Sequence, residues 1–236
     1  MSTSTRVRTQ LSRAGRPERV AGPLLMLGGI AFFAGGAVHP GDSGEGSKVS
    51  QLHEMLVDSM WYPSHALLLA AMACFAAAVL AFRRHGGLGS GMARVTDVVS
   101  VIAVIATIGM TVHLFAALGA DGIADGEKTF LYHVQTWNET IVDSLWGLGI
   151  AALAAAGGLT RTFGNRITLA LGLVGGLAFA LASATIAFTD RFDALFPLAS
   201  LIGIWAVVVG LMMSLRKARS GLAASTPDSD RAGTSN

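Results

Sequence analysis

Five of the six histidines, His39, His53, His65, His113 and His133, lie at the same end of long apolar runs. Eleven of the fifteen carboxylates share that end. Imidazoles joined by one or two carboxylates from different helices suit Zn, Fe, Mn or Cu. The residues that fall at similar depth are His65, His113, Glu139 and Asp143, with His39 as a fifth candidate. Two histidines on facing helices can also hold one b-type haem, and His65 and His113 sit on consecutive antiparallel runs. The cofactors open to this set are thus a transition metal ion or a single b-type haem. No pair shows the HxxxH or HExxH spacing of a ligand motif, so the residues mark a place and not a reaction. Each also has an ordinary reading. His113 can hydrogen-bond Asp143, Ser144 or a backbone carbonyl, His53 can pack on a surface helix, His133 can face solvent, and His39 sits at a boundary.

Six apolar runs must position these residues: about 20–38, 64–82, 95–118, 140–159, 167–188 and 194–215. Each is long enough to cross a hydrocarbon core of roughly 30 Å as a helix. Apolar residues make up 52 % of the chain and charged residues only 14 %, which points to a membrane protein and not a soluble domain. Threading the runs alternately leaves both termini on one side with 14 of the 17 Lys and Arg, and only Lys48, Lys128 and Arg191 opposite. Cytoplasmic loops carry the excess of Lys and Arg, so both termini are expected in the cytoplasm and the histidines on the outer face. The expected location is the plasma membrane. The basic residues are spread over separate segments without interleaved aromatics, which excludes a nucleic-acid footprint.

Residues 1–19, rich in Ser, Thr and Arg, read as a disordered cytoplasmic arm, 20–218 as one six-span membrane domain, and 219–236 as a disordered tail. The first run is longer than a usual signal-peptide core and ends in Val38-His39-Pro40, so it is expected to stay as an uncleaved span. It carries Gly28, Gly29, Gly35 and Gly36, a small-residue stripe for a close neighbour. Between runs one and two, Gly41 to Gly46 form a turn region. From Ser47 onward Val49, Leu52, Met55, Leu56 and Met60 recur at helical spacing among polar residues. This predicts a short amphipathic helix at about 47–60 on the outer surface. Trp61 and Tyr62 are expected in the aromatic belt of the interface.

Behind His113, steps of three or four residues meet Gly109, Ala106 and Ile102, so His113 is expected to face the bundle. Leu131 to Thr140 reads as a helical extension above the fourth span, with Glu139 and Asp143 one turn apart on one face. Gly172, Gly176, Ala180 and Ala184 form a strict small-xxx-small stripe, a packing face for a neighbour in the same chain, a second copy or a membrane partner. Cys74 is the only cysteine, so no intramolecular disulfide or CxxC pair exists.

Several enzyme classes fail on their own requirements. The glycine-rich stretch Gly86 to Gly91 lacks the Lys-Ser/Thr of a phosphate loop. No Gly-x-Ser-Gly nucleophile lies in a span, as a rhomboid-type protease needs. Pro63-Ser64-His65 stands without the remaining blocks of a lipid phosphatase, and no Lys lies within a span to hold retinal. The b561-type cytochromes carry paired histidines on both sides, which this chain lacks. A solute-transporter component stays open on size and helix count alone. His39-Pro40, an acidic amphipathic segment and Trp61-Tyr62-Pro63-Ser64-His65 resemble a group of uncharacterised small six-span membrane proteins of actinobacteria over about residues 20–85. That resemblance implies a fold and a plasma-membrane location, and no activity.

The sequence therefore predicts an all-α six-transmembrane-helix bundle with an outer surface helix, whose first partner is the lipid bilayer. It binds a metal ion or small polar ligand in an outward-facing His/carboxylate pocket. The alternative is a structural or accessory subunit that works through its small-residue stripes.

Overall fold

The computed structural model describes residues 16–84 and 88–225. Among these the chain is helical, with no strand. The helices are α1 (Arg16–Ala37), α2 (Lys48–Val57), α3 (Trp61–Arg83), α4 (Ser90–Leu114), α5 (Ala120–Ala124), α6 (Phe130–Trp137), α7 (Ser144–Leu159), α8 (Arg166–Thr185) and α9 (Phe196–Ser225). A π-helical turn, Asn138–Asp143, joins α6 to α7 into one continuous segment. Short 3₁₀ turns cover Ala116–Gly119 and Asp190–Leu195. Six segments are long and apolar enough to cross a membrane: Val20–Ala37, Trp61–Arg83, Ser90–Leu114, Phe130–Leu159, Arg166–Thr185 and Asp190–Arg216. The chain thus has the architecture of a multi-pass membrane protein. These segments are called spans one to six, and the end bearing His39, His65 and His113 is called the histidine end.

Each span packs against its neighbour in sequence, and span six returns to span one, closing a ring. Short connections favour this order, because antiparallel neighbours need only a tight turn. Leu27, Ile30, Val101, Ile105 and Ile108 point outward and are exposed. An apolar outer surface of this kind is stable in hydrocarbon and not in water. Buried Ser and Thr on span three are satisfied within their own helix. Thr96 donates to the Met92 carbonyl at 2.8 Å and Ser100 to the Thr96 carbonyl at 2.7 Å. The middle of the bundle centres on Trp146, whose ring lies 5.4 Å from Phe179, 5.5 Å from Phe32 and 5.7 Å from Phe75.

The stripe on span five is spent inside the chain. A Cβ on Gly176 would lie 2.6 Å from the Gly147 carbonyl oxygen and 2.8 Å from the Ala151 nitrogen of span four. Gly172 faces Ala154 and Trp205 in the same way. Gly172, Gly176 and Ala180 are buried and Ala184 is half-buried. These residues therefore do not form a free surface for a second copy. The glycines of span one are likewise not one stripe. Gly28 and Gly35 face span two, Gly29 faces Gly203 of span six, and Gly36 meets nothing.

Both end helices run past the expected limits of the membrane domain. The first begins at Arg16 and the last continues to Ser225. Arg, Lys, Ala and Leu are good helix formers, and extending an existing helix needs no new nucleus. The rest of the expected arm and tail, 1–15 and 226–236, lies outside the described residues, as do residues 85–87 of the glycine-rich loop. From Gly89 that loop is already the cap of α4. Asp97, near the non-histidine end, pairs with Arg83 at 2.6 Å.

The expected surface helix is α2. Ser47 caps it by accepting from the Ser50 N–H. Gly44 and Gly46, at φ of 71° and 78°, make the turn before it. Glu54 holds that turn down, accepting from the Ser43 N–H at 2.8 Å, and these bonds keep its carboxyl below the usual range. Leu52 and Leu56 of α2 join Trp61, Ala116, Ala120 and Ile123 in a small second core. The helix is therefore a roof over the histidine end of the bundle.

Gly176→Leu is expected to lower the thermal midpoint of the detergent-purified protein sharply, since overpacking a tight contact costs roughly 1–3 kcal/mol or more. Gly36→Ala, in open space, should leave the midpoint in place. Equal behaviour of the two variants would refute a span four–span five contact through Gly176.

Candidate functional site

Pro63 opens span two within its first turn, where no intrahelical donor is lost. That geometry points His65 inward, and it is fully buried. Its Nδ1 lies 2.6 Å from the Trp61 carbonyl oxygen. A carbonyl only accepts, so Nδ1 carries the proton. Nε2 is then a lone pair, and it is buried with no hydrogen-bond partner in the protein. Ser64 Oγ donates to the same carbonyl at 2.9 Å.

Trp61 is 1 % exposed, so it does not stand in an aromatic belt. Its indole N–H donates to the Leu114 carbonyl at the end of span three, at 3.1 Å. That bond lays the ring against both buried histidines, with centroids 3.8 Å from His65 and 5.2 Å from His113. The rings of His65 and His113 are 4.6 Å apart, and that of His39 is 4.8 Å from His65. His39 itself is exposed and caps the cluster from the end of span one. Tyr62, beside Trp61, is 45 % exposed and keeps the position expected at an interface.

His113 is 5 % exposed and faces the bundle, as its small-residue stripe predicts. Its partner is none of the three expected. The Gln135 amide nitrogen lies 3.4 Å from its Nε2 and donates to Glu139 Oε1 at 2.8 Å. With the amide so oriented, His113 accepts at Nε2 and carries its proton on Nδ1, which has no partner in the protein. Gln135 thus bridges an imidazole on span three to a carboxylate on span four.

The π turn sets the next layer. An i→i+5 turn brings residues five apart toward one face, and such turns recur at functional sites. Here it buries Asn138 and Asp143 together, so the expected α-helical extension stops at Trp137. Asn138 rests against Gly109, where only a residue without a side chain leaves room. Both polar atoms of Asn138, Asp143 Oδ1, Thr140 Oγ1 and Trp146 Nε1 are buried without a partner in the protein. Asp143 makes no hydrogen bond to an imidazole.

The structure thus brings His39, His65 and His113 together, links Glu139 to them through Gln135, and places Asp143 one layer deeper. His53 and His133 stand apart, half-buried on α2 and exposed on α6. Among the described residues, no three His, Cys, Asp or Glu side chains converge to hold a metal ion. The residues that sequence reasoning missed are Gln135, Asn138 and the inward role of Trp61. Gln135 continues the Glu139–Asp143 stripe one turn upward, a signal that was there to find.

A pocket with about 30 Å³ of room for water opens beside Glu139 under the roof. Lys48, Gln51, Tyr132, Thr136 and Glu139 line it. That is space for roughly two water molecules. A second, apolar pocket near the other end, lined by Phe82, Phe163 and Trp205 among others, has no ionisable side chain in its lining. The chain matches no protein-family model, no curated protein and no solved structure.

Leaving a buried polar atom unpaired costs about 1–3 kcal/mol. Asn138→Leu replaces two such atoms by a side chain of similar volume. It is expected to hold or raise the thermal midpoint; a loss of stability of about 2 kcal/mol or more would show that the amide is well paired in solution.

Proposed function

We propose that this is a plasma-membrane protein whose histidine end faces outward and binds a small polar ligand, without catalysis. The carrying observation is the set of buried polar atoms with no partner in the protein: His65 Nε2, His113 Nδ1, Gln135 Oε1, Asn138 and Asp143 Oδ1. Native interiors pair nearly all such atoms with protein or ordered water. Within hydrocarbon the cost of an unpaired ionisable group rises to about 2.5–3.5 kcal/mol on insertion scales, so its retention points to a purpose. The convergence of span ends one to four, the Gln135 bridge and the π turn support the same reading. Ser64 Oγ lies 3.1 Å from His65 Nδ1, but both the hydroxyl and Nδ1–H are turned to the Trp61 carbonyl, so the imidazole offers Ser64 no lone pair as a base, which sets the enzyme reading lower.

A bound transition metal is the second reading, favoured by three imidazole rings within 4.8 Å of a neighbour. It requires the rings to rotate about His65 to present lone pairs to one ion. A structural subunit without a site is weaker, because its proposed working surface on span five is packed inside the chain.

The outward orientation rests on the charge asymmetry of the sequence. In a Cys74→Ser background, Ser43→Cys in the roof loop should react with a membrane-impermeant maleimide on intact cells, and Thr162→Cys in the opposite loop should not. The reverse pattern would invert the topology.

The site itself is read by purifying the full chain and measuring metal content, the absorption spectrum and thermal shifts with Zn²⁺, Cu²⁺, Mn²⁺ and neutral polar solutes. Binding should show as a saturable shift that His113→Ala abolishes. A stoichiometric metal or a Soret band would favour the second reading. No shift with any probe, and a His113→Ala midpoint equal to wild type, would remove the site.

A further inference from the structure

The pocket beneath the roof has a chemistry that the histidine cluster does not determine. Gln51 of α2 lines it, is 3 % exposed, and presents a buried Oε1 with no partner in the protein. Glu139 of span four lines it as well. Its Oε1 accepts from Gln135, whereas its Oε2 takes no hydrogen bond from the protein. Asp42 stands at the rim, and Thr136 adds a hydroxyl.

The one cation in the lining, Lys48, is already committed. Its ammonium pairs with Asp190, and with Asp193 at 3.5 Å, in the 3₁₀ turn that opens span six. Lys128 lies 5.8 Å from the ring centroid of Tyr132, which lines the pocket. With Arg191 of the same turn counted, four carboxylates, Asp42, Glu139, Asp190 and Asp193, stand against the three cations Lys48, Lys128 and Arg191 around the pocket. Such a field concentrates cations at the mouth. The open groups inside are acceptors: a carboxylate oxygen and an amide oxygen. A ligand that completes them must donate hydrogen bonds and carry positive charge.

The geometry separates two kinds of cation. A metal ion demands three or more ligands at about 2.0–2.6 Å, and no such trio of ionisable side chains forms among the described residues. An ammonium group bonds at about 2.7–3.2 Å and tolerates acceptors spread over a small cavity. The room, enough for roughly two water molecules, admits a compact –NH₃⁺ head.

We propose that the pocket between α2 and span four is a binding site for a primary ammonium group, held by the Glu139 carboxylate and the Gln51 amide oxygen. This rests on the reading of the histidine end as an outward-facing polar site, and it names the ligand class that site admits. Lys48 helps to shape the pocket by holding α2 down on Asp190 and Asp193, and it acts on Glu139 through its charge without a hydrogen bond to it.

Methylammonium is the probe, titrated calorimetrically into the full chain in detergent at constant ionic strength, with thermal midpoints in parallel. Saturable binding is expected, with tetramethylammonium and Na⁺ giving none. Glu139→Gln should weaken methylammonium at least about tenfold, which is about 1.4 kcal/mol. Gln51→Leu should weaken it several-fold. If Glu139→Gln fails to fold, Gln51→Leu and Asp42→Asn carry the test, and undiminished binding in both overturns the assignment. Equal responses to methylammonium, tetramethylammonium and Na⁺ would reduce the effect to ionic strength and overturn it. Saturable binding of acetate, glycerol or Zn²⁺ in place of methylammonium overturns the ammonium class and leaves the polar site standing. Silence of every probe, with Glu139→Gln and His113→Ala both indistinguishable from wild type, overturns the two readings together.

Discussion

Hydrocarbon cannot hydrogen-bond, and that single constraint organises the molecule. Every backbone group in a span must be satisfied within it, so the spans are helices. Lipid offers no hydrophobic drive for helix to meet helix, so close backbone approach must supply the association. Gly147 against Gly176, and Gly29 against Gly203, do this at the two seams joining spans four to five and one to six. Over most of the bundle the polar side chains obey the same constraint by folding back on their own helix, as Thr96, Ser100, Thr107 and Thr111 do. The histidine end departs from it. There the side chains bond across helices, or reach no protein partner at all.

That departure is built, and not an accident of sequence at a frayed end. Trp61 is tied to Leu114, which fixes the ring plane that His65 and His113 lie against. Leu52 and Leu56 roof the cluster through a separate apolar core. The π turn re-aims Asn138 and Asp143 just where Gly109 leaves room on span three. Each feature costs stability on its own: a π turn has poorer bonding than an α-helix, and an unpaired buried amide is expensive. Their coincidence in one layer is the argument for function, since strain and unpaired polar groups gather where a site needs them.

The spans, the roof helix and the inward aim of His113 were legible because each rests on a long-range pattern. These are twenty apolar residues, a 3.6-residue period from Val49 to Met60, and a stripe of small residues behind His113. The mistakes came from features that are local in sequence and decided in three dimensions. Trp61 next to Tyr62 looks like an interfacial pair, yet one indole is drawn inward by a carbonyl fifty-three residues away. The Gly172–Ala184 stripe announces a close contact but does not say with whom, and the answer is span four. Gln135 escaped notice because an uncharged amide carries no signature in a search for ligands. Only its position between His113 and Glu139 makes it the link. The π turn has no sequence rule at all; Asn138 and Thr140 weaken an α-helix without dictating what replaces it.

The placement of the polar groups follows from the same mechanics. The glycine-mediated seams hold spans one, two and six, and four and five, in close contact, whereas spans three and four pack less closely. Local opening draws on regions with few apolar contacts, so on the proposed reading the looser seam is where a ligand would be admitted at least cost to the whole. His113 and Gly109 lie on one side of that seam, and Gln135, Asn138 and Glu139 on the other. A site placed instead at the Gly147–Gly176 contact would have to break the packing that closes the ring. Set at the looser seam, under a roof held by one ion-pair cluster and a small apolar core, it can loosen while the rest of the bundle stays intact. On that reading, stability and access fall to different helix pairs.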